Sequence, residues 1–176
     1  MNNDACVLEG FVAFDREVSV IAARGLDGSV ACFDPGENIH QGGILRTTTV
    51  PARLPRGLAQ DAVLMAGRIL GALDYVGVIG VELFVTPRGL VVNEIAPRVH
   101  NSGHWTQDAC LIDQFEQHIR AVCGWPLGDG ARRRLRRAVR EDHVVPRQVQ
   151  EPQQLLLGLV ERRLLRQERV LLGVDR

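Results

Sequence analysis

The stretch Val76-Gly-Val-Ile-Gly-Val-Glu82-Leu-Phe-Val85-Thr-Pro87-Arg88-Gly89-Leu-Val-Val-Asn93-Glu94-Ile95 holds the pattern that decides the fold. Two apolar runs rich in β-branched residues flank a Pro-Arg-Gly turn signal, and this arrangement predicts a β-hairpin. If the turn comprises Pro87, Arg88 and Gly89, the pairing is symmetric about Arg88. Glu82 and Glu94 then lie directly opposite each other.

Two carboxylates in that arrangement need a compensating partner. Directly paired side chains share one face with Cβ atoms about 4.5–5.5 Å apart, and like charges so placed disfavour folding. A divalent cation removes the repulsion, and magnesium takes oxygen ligands that it commonly shares with substrate phosphates. Asn93 adds a further oxygen ligand if the strand bulges. The hairpin therefore predicts a metal site, whereas a register shifted by one residue would place Glu82 opposite Asn93 and remove it.

The loop after the hairpin is dense in hydrogen-bond donors. Thr106 is a plausible N-cap of a following helix, and free N–H groups at a helix start favour anions. A phosphate or carboxylate held by Arg98 is one interpretation, and an ordinary polar connection is the other. His100 and His104 are spaced like zinc ligands, but Gly103 and the missing general-base Glu argue against a zinc helix. The donors are Arg98, His100, Asn101, Ser102, His104 and Thr106.

The remaining patterns predict strands and helices around this hairpin. Helix periodicity runs from Leu58 to Leu73, and a second helix after Thr106 would end near Gly124 and Pro126. Its expected core face consists of Ile112, Phe115, Ile119 and Val122. Strands are expected at Cys6–Val12, at Glu17–Arg24 and, returning antiparallel after the Leu26-Asp27-Gly28 turn, at Ser29–Phe33; Asp34-Pro35-Gly36 would close that unit.

Composition limits the class of protein. The chain has 176 residues, enough for one ordinary domain, and no apolar run long enough to span a membrane. The N-terminus lacks the pattern of a signal peptide. Four scattered cysteines without a CxxC pair are typical of a reducing cytosol. All 21 basic residues are arginine.

Charge is divided unevenly along the chain. Residues 1–130 hold 9 Arg and 15 acidic residues, a net of −6, whereas residues 131–176 hold 12 Arg and 6 acidic residues, a net of +6. We therefore expect two segments, residues 1–129 and an Arg-rich tail at 130–176 whose fold the sequence does not reveal. A shifted reading frame is one explanation of the tail. Electrostatic binding of nucleic acid is a competing hypothesis, but no aromatic residue interleaves with the arginines.

Several segments together resemble a known enzyme family. Asn93-Glu-Ile-Ala-Pro-Arg-Val-His-Asn-Ser-Gly-His-Trp-Thr106 is similar to a signature of N5-carboxyaminoimidazole ribonucleotide synthases, which are ATP-grasp enzymes of purine biosynthesis. So are Glu17-Val-Ser-Val, Ala23-Arg-Gly-Leu-Asp-Gly28, Asn38-Ile-His-Gln-Gly-Gly-Ile-Leu-Arg-Thr47 and Gln114-Phe-Glu-Gln-His118. The resemblance covers about residues 5–129. It implies an α+β fold, the C-terminal subdomain of an ATP-grasp unit, with a mostly antiparallel sheet and packed helices.

The resemblance also implies a reaction and a set of residues. In the family, ATP and Mg²⁺ activate bicarbonate, and the amine of 5-aminoimidazole ribonucleotide captures the carboxyl group, leaving ADP and phosphate. A hinge at Glu9, Gly10, Phe11 and Val12 would hold adenine, Glu17 the ribose, and His40 the nucleotide. Asn93, Glu94 and Glu82 would hold magnesium and phosphate. Arg98, His100 and Asn101 would face the ribonucleotide or the carboxyphosphate.

The chain also departs from the family pattern. The family enzymes are about twice this length, and their phosphate-binding lysines lie in parts that have no counterpart here. We therefore expect weak nucleotide binding and little turnover from this chain alone, and an open sheet edge where the missing half would pair. The resemblance implies a homodimer for a complete enzyme. Another ATP-grasp carboxylate–amine ligase of purine metabolism remains an alternative.

Overall fold

The fold is built on one twisted, mostly antiparallel sheet. The computed structural model describes residues 10–132 and, for the backbone alone, residues 138–141. Within these residues, seven strands pair in the order β6-β5-β1-β3-β4-β7, and β2 also pairs with β1. The strands are β1 (Arg16–Arg24), β2 (Val30–Cys32), β3 (Gly36–Gln41), β4 (Ile44–Val50), β5 (Gly77–Thr86), β6 (Gly89–Ala96) and β7 (Ala138–Glu141).

Strand β1 is central because its side chains alternate between two buried layers. Val18, Val20 and Ala22 face helix α1 (Arg56–Ala72), which contributes Ala62, Ala66 and Leu70 to a shared core. The alternate residues Ile21 and Ala23 join Phe33, Val50, Val78, Trp105, Ala109 and Cys110 in a second core on the opposite face. The period of two therefore leaves Glu17 and Ser19 on the second face, beyond the end of that core.

Most of the predicted elements are confirmed. Glu17–Arg24 lies in β1, the return strand pairs antiparallel through Arg24 and Val30, and the helix at Leu58–Leu73 corresponds to α1. The α+β class with an antiparallel sheet and packed helices is also confirmed. β6 forms one edge of the described sheet. No helix in the described part of the chain is long and apolar enough to cross a membrane.

The hairpin of β3 and β4 was not predicted from the sequence. Asp34 and Pro35 end the β1–β2 unit as predicted, and Gly36 already begins the next strand, β3. The turn residues Gly42 and Gly43 both have positive φ, of 61° and 74°. A two-residue turn with positive φ at both positions matches the twist of the flanking strands, so the Gly-Gly pair was the available signal.

The expected strand at Gly10, Phe11 and Val12 is wrong for the residues that the structure describes. Residues 10–14 have no regular secondary structure, and the Phe11 side chain is 96% exposed. The ladder begins only where Asp15 N donates to Val85 O, at 2.8 Å. Apolar composition alone does not make a strand without a neighbouring strand to pair with. Cys6 to Glu9, and most of the Arg-rich tail, lie outside the described residues.

The second predicted helix is two helices in the structure, and the longer one buries a different face from the predicted one. Thr106 opens the short helix α2 (Thr106–Ala109), and the longer α3 (Gln114–Val122) begins after Asp113, whose carboxylate accepts from the N–H groups of residues 115 and 116. The prediction of Thr106 as N-cap is therefore wrong. The predicted core face is also wrong, since the side chains at 115, 119 and 122 are exposed. Gln114, Gln117 and Ala121 face the interior instead, because the two amides are satisfied by backbone partners.

Candidate functional site

The β5–β6 hairpin brings the two predicted carboxylates together by a different route from the expected one. Thr86 pairs with Gly89, so the turn has two residues, Pro87 and Arg88, and the three-residue turn is wrong. That turn alone would pair Glu82 with residue 93. A bulge restores the register, because the pairing passes from Leu83–Val92 to Glu82–Glu94 and leaves Asn93 as the extra residue. The predicted pair of Glu82 and Glu94 is confirmed.

The bulge gathers three oxygen-bearing side chains. Asn93 Nδ2 donates to Glu82 Oε2 at 3.4 Å, so the amide leans over the carboxylate of the neighbouring strand. The Glu82 side chain is only 13% exposed, whereas Glu94 is exposed. Burial raises the pKa of Glu82, and the charge of Glu94 raises it further. Burial and the neighbouring Glu94 therefore destabilise the ionised form of Glu82, and a bound cation would stabilise it.

The donor set fits magnesium. Two carboxylates and an amide oxygen are hard ligands, and a small divalent ion that retains waters or binds phosphates needs few protein ligands. Among the described residues, no three His, Cys, Asp or Glu side chains cluster as a protein-only metal cage would require. Glu82, Glu94 and Asn93 are therefore the residues that could hold a phosphate-bound metal.

His100 closes over the buried carboxylate. Its Nε2 lies 3.8 Å from Glu82 Oε1, and its Nδ1 lies 2.8 Å from Ser102 Oγ. The imidazole sits directly above Gly80, where an added Cβ would come within 2.7 Å of His100 Cβ and Cγ. Burial lowers the pKa of His100 to about 4, assisted by the charges of Arg98 and two other histidines. His100 is therefore a neutral imidazole near pH 7.

Gln114 fixes the loop that carries His100. This fully buried side chain accepts from His100 N at 2.9 Å and donates to His100 O at 2.7 Å. Thr106 Oγ1 accepts from the backbone N of Gln114 and donates to Gly103 O at 2.7 Å. The sequence patterns indicated no role for Gln114 and the wrong one for Thr106. The sequence carried no local signal for these roles, because the partners of Gln114 and Thr106 come from other segments of the fold.

Glu17 and His40 meet across β1 and β3. His40 Nδ1 lies against Glu17 Oε2, and the two residues come from neighbouring strands of the same face. Glu17 also pairs with Phe84 on β5, and the Phe84 ring stacks on Phe14 at 4.2 Å between centroids. Phe84 was not singled out from the sequence, since its place in an apolar run looked like core. The structure therefore brings an aromatic surface beside the predicted nucleotide-binding acid.

A polar wall continues from this pair onto β3 and β4. Asn38 is 5% exposed and pairs with Glu17 on one side and Thr48 on the other. Its Oδ1 accepts from Ser19 Oγ at 3.4 Å and from Thr48 Oγ1 at 3.1 Å. Ser19 in turn pairs with Glu82. Two rows of polar residues therefore cross the sheet side by side, and sequence reasoning missed Ser19, Asn38 and Thr48.

The other predicted site residues lie at the rim. Arg98 is exposed and its Nη1 donates to Val99 O at 3.1 Å, while exposed Asn101 accepts from Ser102 N through Oδ1. No described contact joins Arg98 or Asn101 to the acid pair. Gly10 and Phe11 are exposed and Val12 is half-buried; Glu9 lies outside the described residues.

This arrangement has the chemical elements of a phosphate-handling site. One end presents stacked aromatic rings and a Glu–His pair, which suit a nucleoside. The middle presents a carboxylate pair in a bulge, which suits a divalent cation. The far end presents neutral His100 with Arg98 nearby in the same loop, which suits an anion.

Comparison with known proteins matches the chain to one family. The family model of the ATP-grasp domain matches residues 1–115. The N5-carboxyaminoimidazole ribonucleotide synthase of Brucella melitensis is 60% identical over 130 residues, which cover 73% of this chain and 36% of that protein. The Bacillus subtilis synthase is 49% identical over 129 residues, which cover 73% of this chain and 34% of that protein. The chain thus spans about a third of the length of these curated relatives.

Solved structures agree with the sequence matches. The N5-carboxyaminoimidazole ribonucleotide synthetase of Thermus thermophilus aligns with a TM-score of 0.68 at 52% identity, covering 71% of this chain and 35% of that one. The Aspergillus clavatus synthase, solved in complex with ADP and 5-aminoimidazole ribonucleotide, aligns with a TM-score of 0.64 at 32% identity, covering 67% and 32%. Because the family model matches well over half of its residues, the chain belongs to the ATP-grasp family.

Proposed function

We propose that this chain contributes to an N5-carboxyaminoimidazole ribonucleotide synthase. The reaction joins bicarbonate to the exocyclic amine of 5-aminoimidazole ribonucleotide, with ATP converted to ADP and phosphate, as a step of de novo purine (IMP) biosynthesis. The observation that carries the proposal is the bulged hairpin, which sets Glu82 opposite Glu94 with Asn93 beside them and His100 above. Relatives at 49–60% identity with that name support the choice of substrate.

In this proposal the carboxylate pair binds Mg²⁺ together with the ATP phosphates. Glu82 and Glu94 supply anionic ligands, and the Asn93 oxygen adds a neutral one. When bound, the metal withdraws charge from the transferring phosphoryl group, which is the main catalytic task in phosphoryl transfer. Binding also removes the like-charge repulsion that raises the pKa of Glu82.

The nucleoside end of ATP would lie along β1 and the segment before it. Glu17 accepts hydrogen bonds from the ribose hydroxyls, and His40, held against Glu17, contacts the nucleotide. Adenine lies against the hinge of Glu9, Gly10, Phe11 and Val12. The stacked Phe14 and Phe84 rings offer an apolar surface beside it.

The acceptor end of the site would be the loop after β6. Arg98 attracts the carboxyphosphate or the ribonucleotide through its charge, and Asn101 hydrogen-bonds to it. His100 is buried and neutral, so it can donate or accept a hydrogen bond without bringing a positive charge into the site. Its fixed position over Glu82 keeps the acceptor close to the phosphate end of the nucleotide.

The cellular setting is part of the same proposal. Small-molecule substrates, a cytoplasmic location and a homodimer are expected for an enzyme of this pathway. On its own, the chain is expected to bind nucleotide weakly, because one wall of the ATP cleft leaves the phosphates open to water.

A chimera tests the proposed activity directly. The matched segment of this chain replaces the corresponding segment of the Brucella melitensis relative, and ADP release is followed with ATP, Mg²⁺ and bicarbonate. Release that depends on 5-aminoimidazole ribonucleotide is expected. Glu94→Gln should lower the rate by at least about 100-fold, since it removes one of the two anionic ligands proposed for Mg²⁺.

A matched control separates site chemistry from stability. Asp61→Asn also neutralises an exposed acid, but it lies on α1, which packs against the other face of the sheet. It should leave the rate unchanged. A folded chimera that releases ADP equally with and without the ribonucleotide would show that this segment does not serve the proposed substrate.

A further inference from the structure

Asn38 presents a buried donor that has no partner among the described residues. Its Oδ1 is taken by the hydroxyls of Ser19 and Thr48, which fixes the orientation of the amide. Its Nδ2 is fully shielded and makes no hydrogen bond within the described residues. An unmet buried donor destabilises the folded state, because it has lost its water partners and gained none in the protein. A ligand acceptor at this position would remove that destabilisation.

Arg46 presents a second unmet donor on the neighbouring strand. The pairing of β3 with β4 passes from Ile39–Thr47 to His40–Leu45, so Arg46 is the extra residue of a bulge beside His40. Its Nε is shielded from solvent and has no hydrogen-bond partner in the described part of the chain. Bulges commonly re-aim a side chain next to a functional site. Because the sequence has no lysine, arginine is the side chain that carries a permanent positive charge in this chain.

Asn38 lies on the same face of the sheet as Glu82, and Arg46 lies two residues from Thr48, which bonds to Asn38. Asn38 pairs with Glu17, and Ser19, which bonds to Asn38, pairs with Glu82. Asn38 lies two strand spacings from β5 and two residues along the strands from the position level with Glu82, so the Cα atoms of Asn38 and Glu82 are roughly 12 Å apart. An anion at Asn38 could therefore belong to the same bound substrate as a metal at the hairpin, without competing for the metal ligands.

We propose that Asn38 and Arg46 form an oxyanion subsite for a phosphate or carboxylate group. The planar guanidinium and the fixed amide both donate hydrogen bonds, which is the chemistry that recognises a tetrahedral or trigonal oxyanion. Water could satisfy the amide alone, whereas an anion would satisfy the amide and also offset the positive charge beside the shielded Arg46 Nε. That this anion is part of an ATP-grasp substrate rests on the proposed function, whereas binding of an oxyanion does not.

The test is side-chain NMR on the purified full chain without magnesium or nucleotide. Inorganic phosphate and, separately, bicarbonate are titrated while the Arg46 Nε–H and Asn38 Nδ2–H₂ signals are followed. Both signals are expected to shift together along one saturable curve. Whichever anion gives the tighter curve identifies the group that the subsite takes.

Substitutions decide the outcome. Arg46→Gln should weaken binding by about tenfold or more, and Arg46→Lys should give an intermediate loss because charge is kept and the planar fork is not. Arg68→Gln, on an exposed position of α1 across the sheet, should have no effect. Backbone amide spectra report whether each variant is folded. Titration without saturation, saturation that leaves both side-chain signals unmoved, or unaltered affinity in folded Arg46→Gln would overturn the proposal.

The result is separable from the proposed function. A chimera that fails to release ADP while the chain still binds phosphate through Arg46 would refute the ligase assignment and keep the subsite. An active chimera whose rate and phosphate affinity are both unaffected by Arg46→Gln would refute the subsite and keep the ligase assignment.

Discussion

Replacing Gln114 with leucine should detach the loop that carries His100 from helix α3. The side chain holds both backbone groups of His100, at 2.9 and 2.7 Å, and it is fully buried. Leucine fills a similar volume but offers neither a donor nor an acceptor. The N–H and the C=O of His100 would both remain buried without partners, and each costs about 1–3 kcal/mol. The expected loss in unfolding free energy is about 2–6 kcal/mol.

Gln117 provides an internal comparison for this prediction. It is also fully buried on α3, and it makes the same pair of bonds to Gly128, at 2.7 and 2.9 Å. Gly128 is only half-buried, so water can replace part of what leucine removes. Gln117→Leu should therefore cost less, about 1–3 kcal/mol. Because Gly128 lies outside the His100 loop, this variant should leave the imidazole unchanged.

Two measurements decide the question. Urea denaturation gives the unfolding free energies, and the imidazole carbon-bound proton of His100 gives its pKa by NMR. In Gln114→Leu that pKa should rise from about 4 towards the ordinary value of 6.5, because a released loop exposes the ring to water. In Gln117→Leu it should stay low. A loss below about 1 kcal/mol, or an unchanged His100 pKa in Gln114→Leu, would refute the assignment of Gln114 as the clamp.

Three further outcomes are expected. Gly80→Ala should cost about 1–3 kcal/mol because its Cβ would meet the His100 ring at 2.7 Å, whereas Gly71→Ala, with open space around it in α1, should be neutral or stabilising in the same thermal scans. Without metal, the unfolding free energy should fall as pH rises above about 4.5, because the folded state holds the Glu82 proton more tightly than the unfolded state. Glu82→Gln should remove that part of the pH dependence. Added Mg²⁺ should stabilise the parent protein and not this variant. Asp113→Ala should lower helix stability by about 1 kcal/mol, visible as faster amide exchange at the start of α3, because two cap bonds are lost.

The hairpin illustrates how far sequence reasoning reaches. The facing of Glu82 and Glu94 was predictable, because apolar runs of fixed length leave few registers that keep both faces consistent. The location of the extra residue was not. A turn of three residues and a turn of two with a bulge give the same carboxylate pair, and the choice depends on strand twist and on the Asn93 contact with Glu82.

The misread helix shows the opposite limit. Phe115, Ile119 and Val122 follow helical spacing, yet Gln114 and Gln117 occupy the interior. Periodicity measures apolar surface and not the hydrogen bonds that backbone groups elsewhere in the fold require. The unmet amide of Asn38 was equally invisible, because it depends on partners two strands apart. The facing of Glu82 and Glu94 follows from strand pairing and could be predicted, whereas the contacts of Gln114, Gln117 and Asn38 depend on distant segments and could not.

The bulge at Asn93 also makes the hairpin tolerant of the deletion of one residue from β6. β6 carries one more residue than its partner strand needs between the turn and Glu94. A single codon lost anywhere from 90 to 93 therefore removes the surplus, and the two glutamates remain opposite each other. Loss of a codon from 83 to 85 instead raises the difference in length between the two strands from one residue to two. A library of single-codon deletions should retain more folded members on the strand after the turn than on the strand before it, so length variation among natural variants should concentrate there.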